Sequence, residues 1–183
     1  MTTNAEGTAA ILSFWFDEVG PERWWTRSDE TDAVIAERFG ALWAEWRSRT
    51  PDSFLASADE AVAGVILFDQ FSRNLFRGHA DAFSTDPLAL AIATGALDRG
   101  LDAEMTGDQL SFLYMPFQHS EVLADQQRSV ALFTALGNAN SLEFAHKHHD
   151  MIARLGRFPA RNAALGRADR PGEAAAIEMS KGW

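Results

Sequence analysis

A chain of 183 residues, 46% apolar and 23% charged, is long enough to bury one sizeable core without disulfides or metal. The absence of cysteine excludes disulfide frameworks, thiolate zinc sites and a cysteine nucleophile, and the net charge of −10 argues against non-specific nucleic-acid binding. The first residues lack the basic end and apolar stretch of a signal peptide, and the longest apolar run, 61–68, is too short for a bilayer, so a cytoplasmic protein with no membrane partner is expected.

Taken in chain order, nearly every segment reads as helix. Thr8 is placed to cap a first helix carrying Ile11, Leu12, Trp15 and Phe16. A second is expected from about Asp29 to Arg49, where Ile35, Phe39, Leu42 and Trp46 form one apolar stripe and Pro51 lies beyond. Ser57 with Glu60 makes a capping box for a third helix, apolar on almost all sides through Phe68 and therefore central. Asp86-Pro87 opens a fourth helix and Gly100 ends it. Thr106 with Gln109 is another capping box, and its helix is expected to be interrupted near Pro116. The next runs to Gly137, another from about Ser141 to Leu155 stops at Gly156, and a short one follows Pro171. No segment alternates with period two, and no linker divides the chain. The expectation is a single all-α domain over residues 1–183, an array of about seven to eight antiparallel helices.

Three stretches place polar side chains directly among bulky apolar ones. They are LFDQFSRNLFRG (67–78), FLYMPFQHSE (112–121) and GRFPARNAALGR (156–167). Buried polar groups are costly unless they find partners, so these stretches point to one organised polar site. In the first, Asp69 and Arg73 stand four apart beside Val62 and Ile66, which suits a buried ion pair; Gln70 and Asn74 lie nearby. In the second, a helix restarting after Pro116 would carry His119, Val122, Leu123, Gln126, Val130 and Phe133 on one face and turn Glu121 to the other. In the third, Arg157, Arg161 and Asn162 stand in a segment, 154–170, that also holds Arg154, Arg167 and Arg170 against one acid, Asp169. Arginine forks suit carboxylate or phosphate, and Asn adds an uncharged donor.

His146, His148 and His149 invite a metal, but helical phase resists it. His146 and His149, or His146 and Asp150, could supply two ligands where a closed site needs about four. No metal and no cofactor is expected. Serine-hydrolase elbows, zinc-protease pairs and Gly-rich phosphate loops are absent from the sequence.

The three stretches together resemble a bacterial family known as domain of unknown function 924, whose members look like LDQFPRNIFRG, FLYMPLMHSE with a following Gln, and GRFPHRN with LGR close behind. The early FWF at Phe14–Phe16 and AFSTDPLAL from Ala82 also match. The resemblance implies an all-helical, tetratricopeptide-like superhelical fold with no established activity. It carries over Asp69, Gln70, Arg73, Asn74 and Arg77, then His119, Glu121 and Gln126, then Arg157, Arg161 and Asn162. Ser72 and Ala160 stand where the family usually has Pro and His, which weakens any mechanism needing a histidine in the last motif.

The leading expectation is a ligand-binding protein. Arg73, Arg157 and Arg161 would hold a carboxylate or phosphate of a small anionic molecule or peptide, and Asn74, Asn162, His119, Gln126 and Gln70 would complete the site. The rival is a hydrolytic or acid–base enzyme with His119 as general acid or base and arginines stabilising negative charge. A third reading is a scaffold whose polar network only fixes helix packing.

Overall fold

Helix formation begins with amphipathic patterning and local caps, and both are visible in the computed structural model, which describes residues 4–179. Among these residues every regular element is helical and none is a strand. No helix among them is long and apolar enough to cross a membrane. The chain divides into two compact units, one of residues 4–77 with 81–116 and one of residues 78–80 with 117–179.

The first unit is built on α1 (Asn4–Leu12), α2 (Asp29–Trp46), α3 (Ala58–Val65), α4 (Ser72–Leu75) and α5 (Asp86–Asp98). Ser28 caps α2 by accepting the Thr31 N–H at 3.2 Å, and Ile35, Phe39, Leu42 and Trp46 are buried as one stripe. Ser57 caps α3 through the Glu60 N–H, also at 3.2 Å. All of Ala58 and 61–72 is buried, so this rod is the core of the unit. Its middle, Ile66–Phe71, is π-helical, as is Ser13–Val19, the continuation of α1. The two π segments meet: the Phe71 ring lies 5.8 Å from Phe14 and 5.4 Å from Trp15, with Phe39 at 4.9 Å. π turns widen the helix and shift its phase, and they concentrate at functional or constrained sites.

Thr8 is not a cap. It is buried inside α1, which already runs from Asn4. The cause is tertiary: a Cβ on Gly7 would stand 2.4 Å from Cη2 of Trp46, so α1 approaches α2 closely at that point and helix extends through it. The end of α2 at Trp46 is likewise earlier than Pro51, which instead opens a 3-10 turn, Pro51–Phe54.

α6 (Gly107–His119) leads from the first unit into the second. The Thr106–Gln109 capping box closes in both directions: Gln109 N–H donates to Thr106 Oγ1, and Thr106 N–H donates to Gln109 Oε1. The expected interruption at Pro116 does not occur. Helix continues to His119 and breaks at 120–122. Pro116 removes one donor, but it and its helix neighbours Phe112, Leu113 and Phe117 are all buried, and that burial outweighs one lost bond.

α7 (Leu123–Leu136) and α8 (Ala139–Leu155) form a helical hairpin across Gly137 and Asn138. Gly137 adopts φ +76°, which an L side chain resists, and Asn138 caps α8 through the Ser141 N–H at 3.1 Å. Gly156 ends α8 at φ +69°. Met151 and Ile152 of α8, with Phe158 and Ala176 beyond Gly156, form the buried cluster that docks the loop and α9 (Ala174–Met179).

Candidate functional site

The residues singled out in the sequence fall into two groups, one in each unit. In the first unit the π turn sets Asp69 and Gln70 side by side, and Gln70 Nε2 donates to Asp69 Oδ2. Asp69 is fully buried, and Arg73 Nη2 lies 3.6 Å from its Oδ1, so the ion pair is present. Arg73 engages a second carboxylate more closely. Its Nη1 and Nη2 fork onto Asp86 at 2.7 and 3.0 Å, Nη1 also donates to the Ala82 carbonyl, and its guanidinium lies 4.8 Å from the centre of the Phe83 ring. Asn74 donates to Asp32 Oδ1 at 2.7 Å, and Arg77 Nη2 reaches the same oxygen at the same distance. Burial raises the Asp32 carboxyl, but the Arg77 and Asn74 bonds outweigh it and leave it below the usual carboxylate range. Arg73, Asn74 and Arg77 thus tie α4 and the residues just after it to the starts of α2 and α5.

In the second unit the break after His119 is held by Gln126. Its Nε2 donates to the Gln118 and Ser120 carbonyls, both at 2.6 Å, satisfying acceptors left open at the end of α6. Because helix ends at His119, the expected face running from His119 through Val122 and Leu123 does not form. Val122 and Leu123 are 57% and 41% exposed, while Gln126 and Phe133 are buried. Buried Gln126 Oε1 and Ser129 Oγ, on successive turns of α7, have no hydrogen-bond partner among the described residues.

The loop after Gly156 is dense with paired guanidinium groups. Arg157 Nε and Nη2 bind the two Glu173 oxygens at 2.8 Å each, and Nη2 also donates to the Ala168 carbonyl. Asn162 Nδ2 bridges Asp169 and Glu173 at 2.9 and 3.0 Å. The Arg157 bond, with the Arg170 N–H and Asn162, outweighs burial and holds the Glu173 carboxyl down to about 2. Arg167 forks onto Glu121, whose Oε1 also accepts the Phe158 N–H.

Arg161 occupies a different setting. Its guanidinium carbon stands 4.6 Å from the centre of the Phe158 ring, and Nη2 donates to the His119 carbonyl at 2.9 Å. The His148 ring packs 5.4 Å from Phe158 and 6.2 Å from the His119 ring. His148 Nδ1 lies 2.8 Å from the Phe144 carbonyl oxygen, which puts its proton on Nδ1. Burial, the neighbouring His119 and Arg161 together push His148 down to about 3, against a raising bond from Phe144. Arg161 and the His119 and His148 rings thus gather beside Phe158, with His148 held neutral chiefly by its burial.

His146 and His149 lie on the same helix as His148 but away from this cluster. His146 is exposed, and His149 Nδ1 is 3.1 Å from Asp150 Oδ1. Among the described residues no group of three or more His, Asp or Glu side chains converges as metal ligands would. The carboxylates that organise both groups, Asp32, Asp86, Glu121 and Glu173, were not read from sequence as their partners. Asp86 carried a local signal only for a helix start, and Glu121, named in the second stretch, was expected to face away from His119.

The chain is similar to a solved protein of unknown function from Agrobacterium tumefaciens, ATU0120, at 36% identity and a TM-score of 0.90, over 97% of this chain and 100% of that one. No curated protein matches it. The family model described as bacterial protein of unknown function, DUF924, matches residues 11–180, and the chain belongs to that family.

Proposed function

We propose that the protein binds an anionic group, a carboxylate of a small molecule or peptide, at His119, His148 and Arg161. The observation that carries this reading is the gathering of Arg161 and the His119 and His148 rings beside Phe158, in a chain of net charge −10. A carboxylate placed there meets the Arg161 guanidinium and imidazole N–H donors, and a half-buried setting strengthens those bonds over their value in water. Arg157, Asn162, Arg167 and Gln126 serve as framework: they fix the loop and the end of α6 so that recognition pays little ordering entropy. Gln70, Arg73 and Asn74 perform the equivalent task in the first unit.

The test is an NMR titration of the histidine ring protons with acetate, succinate and an acetylated tripeptide, with Tm measured on every variant. Carboxylates are expected to move the His119 and His148 signals, and Arg161→Ala to weaken binding by about tenfold or more at unchanged Tm. A second reading, a network that only fixes helix packing, is favoured by the carboxylates already seated on Arg157 and Arg167. It predicts histidine signals indifferent to carboxylates, and Arg161→Lys as unresponsive as the parent. That outcome ends the binding proposal.

A further inference from the structure

We infer that the first unit carries a docking surface for a cationic peptide segment, formed by exposed Trp25 and by the acidic, apolar-walled cavity that Arg23, two residues before it, helps to line. Residues 17–32 contain Asp17, Glu18, Glu22, Asp29, Glu30 and Asp32 against only Arg23 and Arg27. The cations near them are already engaged. Arg23 donates to the Val19 and Glu18 carbonyls, Arg27 pairs with Asp29 at 3.5 Å, and Arg38 forks onto Glu18 at 2.6 and 3.0 Å. Asp32 is occupied by Arg77 and Asn74. Asp17, Glu22 and Glu30 remain, all exposed and with no partner among the described residues.

Beside them is a cavity of about 140 Å³ lined by Phe14, Val19 and Val34 together with Glu18, Arg23 and Glu30. Its apolar walls suit the methylene stem of an arginine or lysine, and Glu30 offers a carboxylate to the charged head. The chain itself uses this chemistry on the same ring: the Arg38 guanidinium carbon lies 4.8 Å from the centre of Phe14. Two residues beyond Arg23, Trp25 is 61% exposed while one face of its indole stacks on buried Phe112 at 5.6 Å and 15°. Trp24 and Phe16 stand edge-on to the same cluster, so Trp25 is presented on a rigid aromatic base. An indole so held is the best aromatic acceptor for a second cation. A second copy of the chain, itself at −10, is the wrong occupant by charge.

The experiment follows the Trp25 Nε1–H resonance of the full chain while triarginine is added, with triglycine and triglutamate as controls. Triarginine alone is expected to shift it, and raising salt to about 0.3 M to weaken binding several-fold. Trp25→Ala and Glu30→Gln are each expected to weaken binding by about three- to fivefold at unchanged Tm. Should Trp25→Ala fail to fold, Glu30→Gln and the salt dependence still decide. An unmoved resonance, or equal shifts from triglycine, overturns the inference. So does a shift that tracks protein concentration together with a doubled mass by light scattering, which would make the occupant a second copy.

Discussion

Glu121 and Arg167, 46 residues apart, close on both backbone polar groups of one residue, Phe158. The pair is two-pronged, at 2.7 and 3.0 Å; Glu121 also accepts the Phe158 N–H at 2.8 Å, and Arg167 donates to the Phe158 carbonyl at 3.0 Å. Phe158 is thereby fixed where it packs His148 and Arg161. Burial raises the Glu121 carboxyl, but the Arg167 bond and the Phe158 N–H outweigh it and leave it lowered. Glu121→Ala strands a guanidinium and a backbone donor in a half-buried place, and a loss of about 2–3 kcal/mol in urea denaturation is expected. Glu121→Gln keeps an acceptor for Phe158 and should lose less. A loss within about 0.5 kcal/mol for the alanine variant, the range of ordinary surface changes, would deny the pair this role.

What the sequence disclosed was local. The Ser57 and Thr106–Gln109 caps, the Asp86-Pro87 start and the glycine stops at 100, 137 and 156 are written in neighbouring residues, and each stands where expected. The α2 stripe is equally local, being a matter of period alone. The π turns at Ser13–Val19 and Ile66–Phe71 carry no composition of their own, so the phase of Asp69 and Gln70 was set by an assumed α-helix. Pro116 misled for the opposite reason: a real local penalty was overridden by burial of the turn around it, and this moved His119 from the start of one helix to the end of another. In the polar groups the cations were legible because arginines cluster in sequence. Their carboxylates stand 13 to 46 residues away, and spacing of that length predicts no contact.

Arg73 distinguishes a fork from a charge. It grips both Asp86 oxygens and the Ala82 carbonyl while Asp69 stands behind it, fully buried. Lysine preserves the charge and cannot reproduce this planar set. Arg73→Lys is expected to cost about 1–2 kcal/mol by chemical denaturation, and Arg73→Ala more, since it leaves buried Asp69 without its cation. Equal stability of the lysine variant and the parent would show that charge alone suffices.

Two helical glycines make opposite predictions. A methyl group on Gly7 meets the Trp46 ring at 2.4 and 2.6 Å, and that ring is only 1% exposed and has nowhere to go. Gly7→Ala should destabilise by about 1–3 kcal/mol. On Gly40, inside α2, the nearest atom to an added methyl is Leu75 Cδ2 at an ordinary 3.8 Å. Gly40→Ala should therefore stabilise by about 0.5–1 kcal/mol through reduced freedom of the unfolded chain. Thermal melts of the two variants should move in opposite directions; a common direction would mean that the close approach of α1 to α2 is wrong.

His148 makes the fold acid-sensitive in a defined window. Its folded value of about 3 lies below the ordinary 6.5, so between the two the unfolded chain binds a proton that the folded chain refuses. Stability is therefore full above about 6.5 and falls by about 1.4 kcal/mol for each unit of pH below it, as the folded value is approached. Glu173 works in the same direction lower down. Its folded value of about 2 lies below the ordinary 4.5, so its contribution is present above 4.5 and lost as pH falls through 2. The two are separable because they begin two units apart. His148→Phe should flatten the decline between 6.5 and 4.5 and leave the steeper loss below it, whereas Glu173→Gln should do the reverse. Urea denaturation at pH 7.5, 6 and 5 reads the first window directly. If the parent and His148→Phe lose stability in parallel across it, the acid sensitivity belongs to other groups, and burial of His148 disfavours its charged form less than the geometry implies.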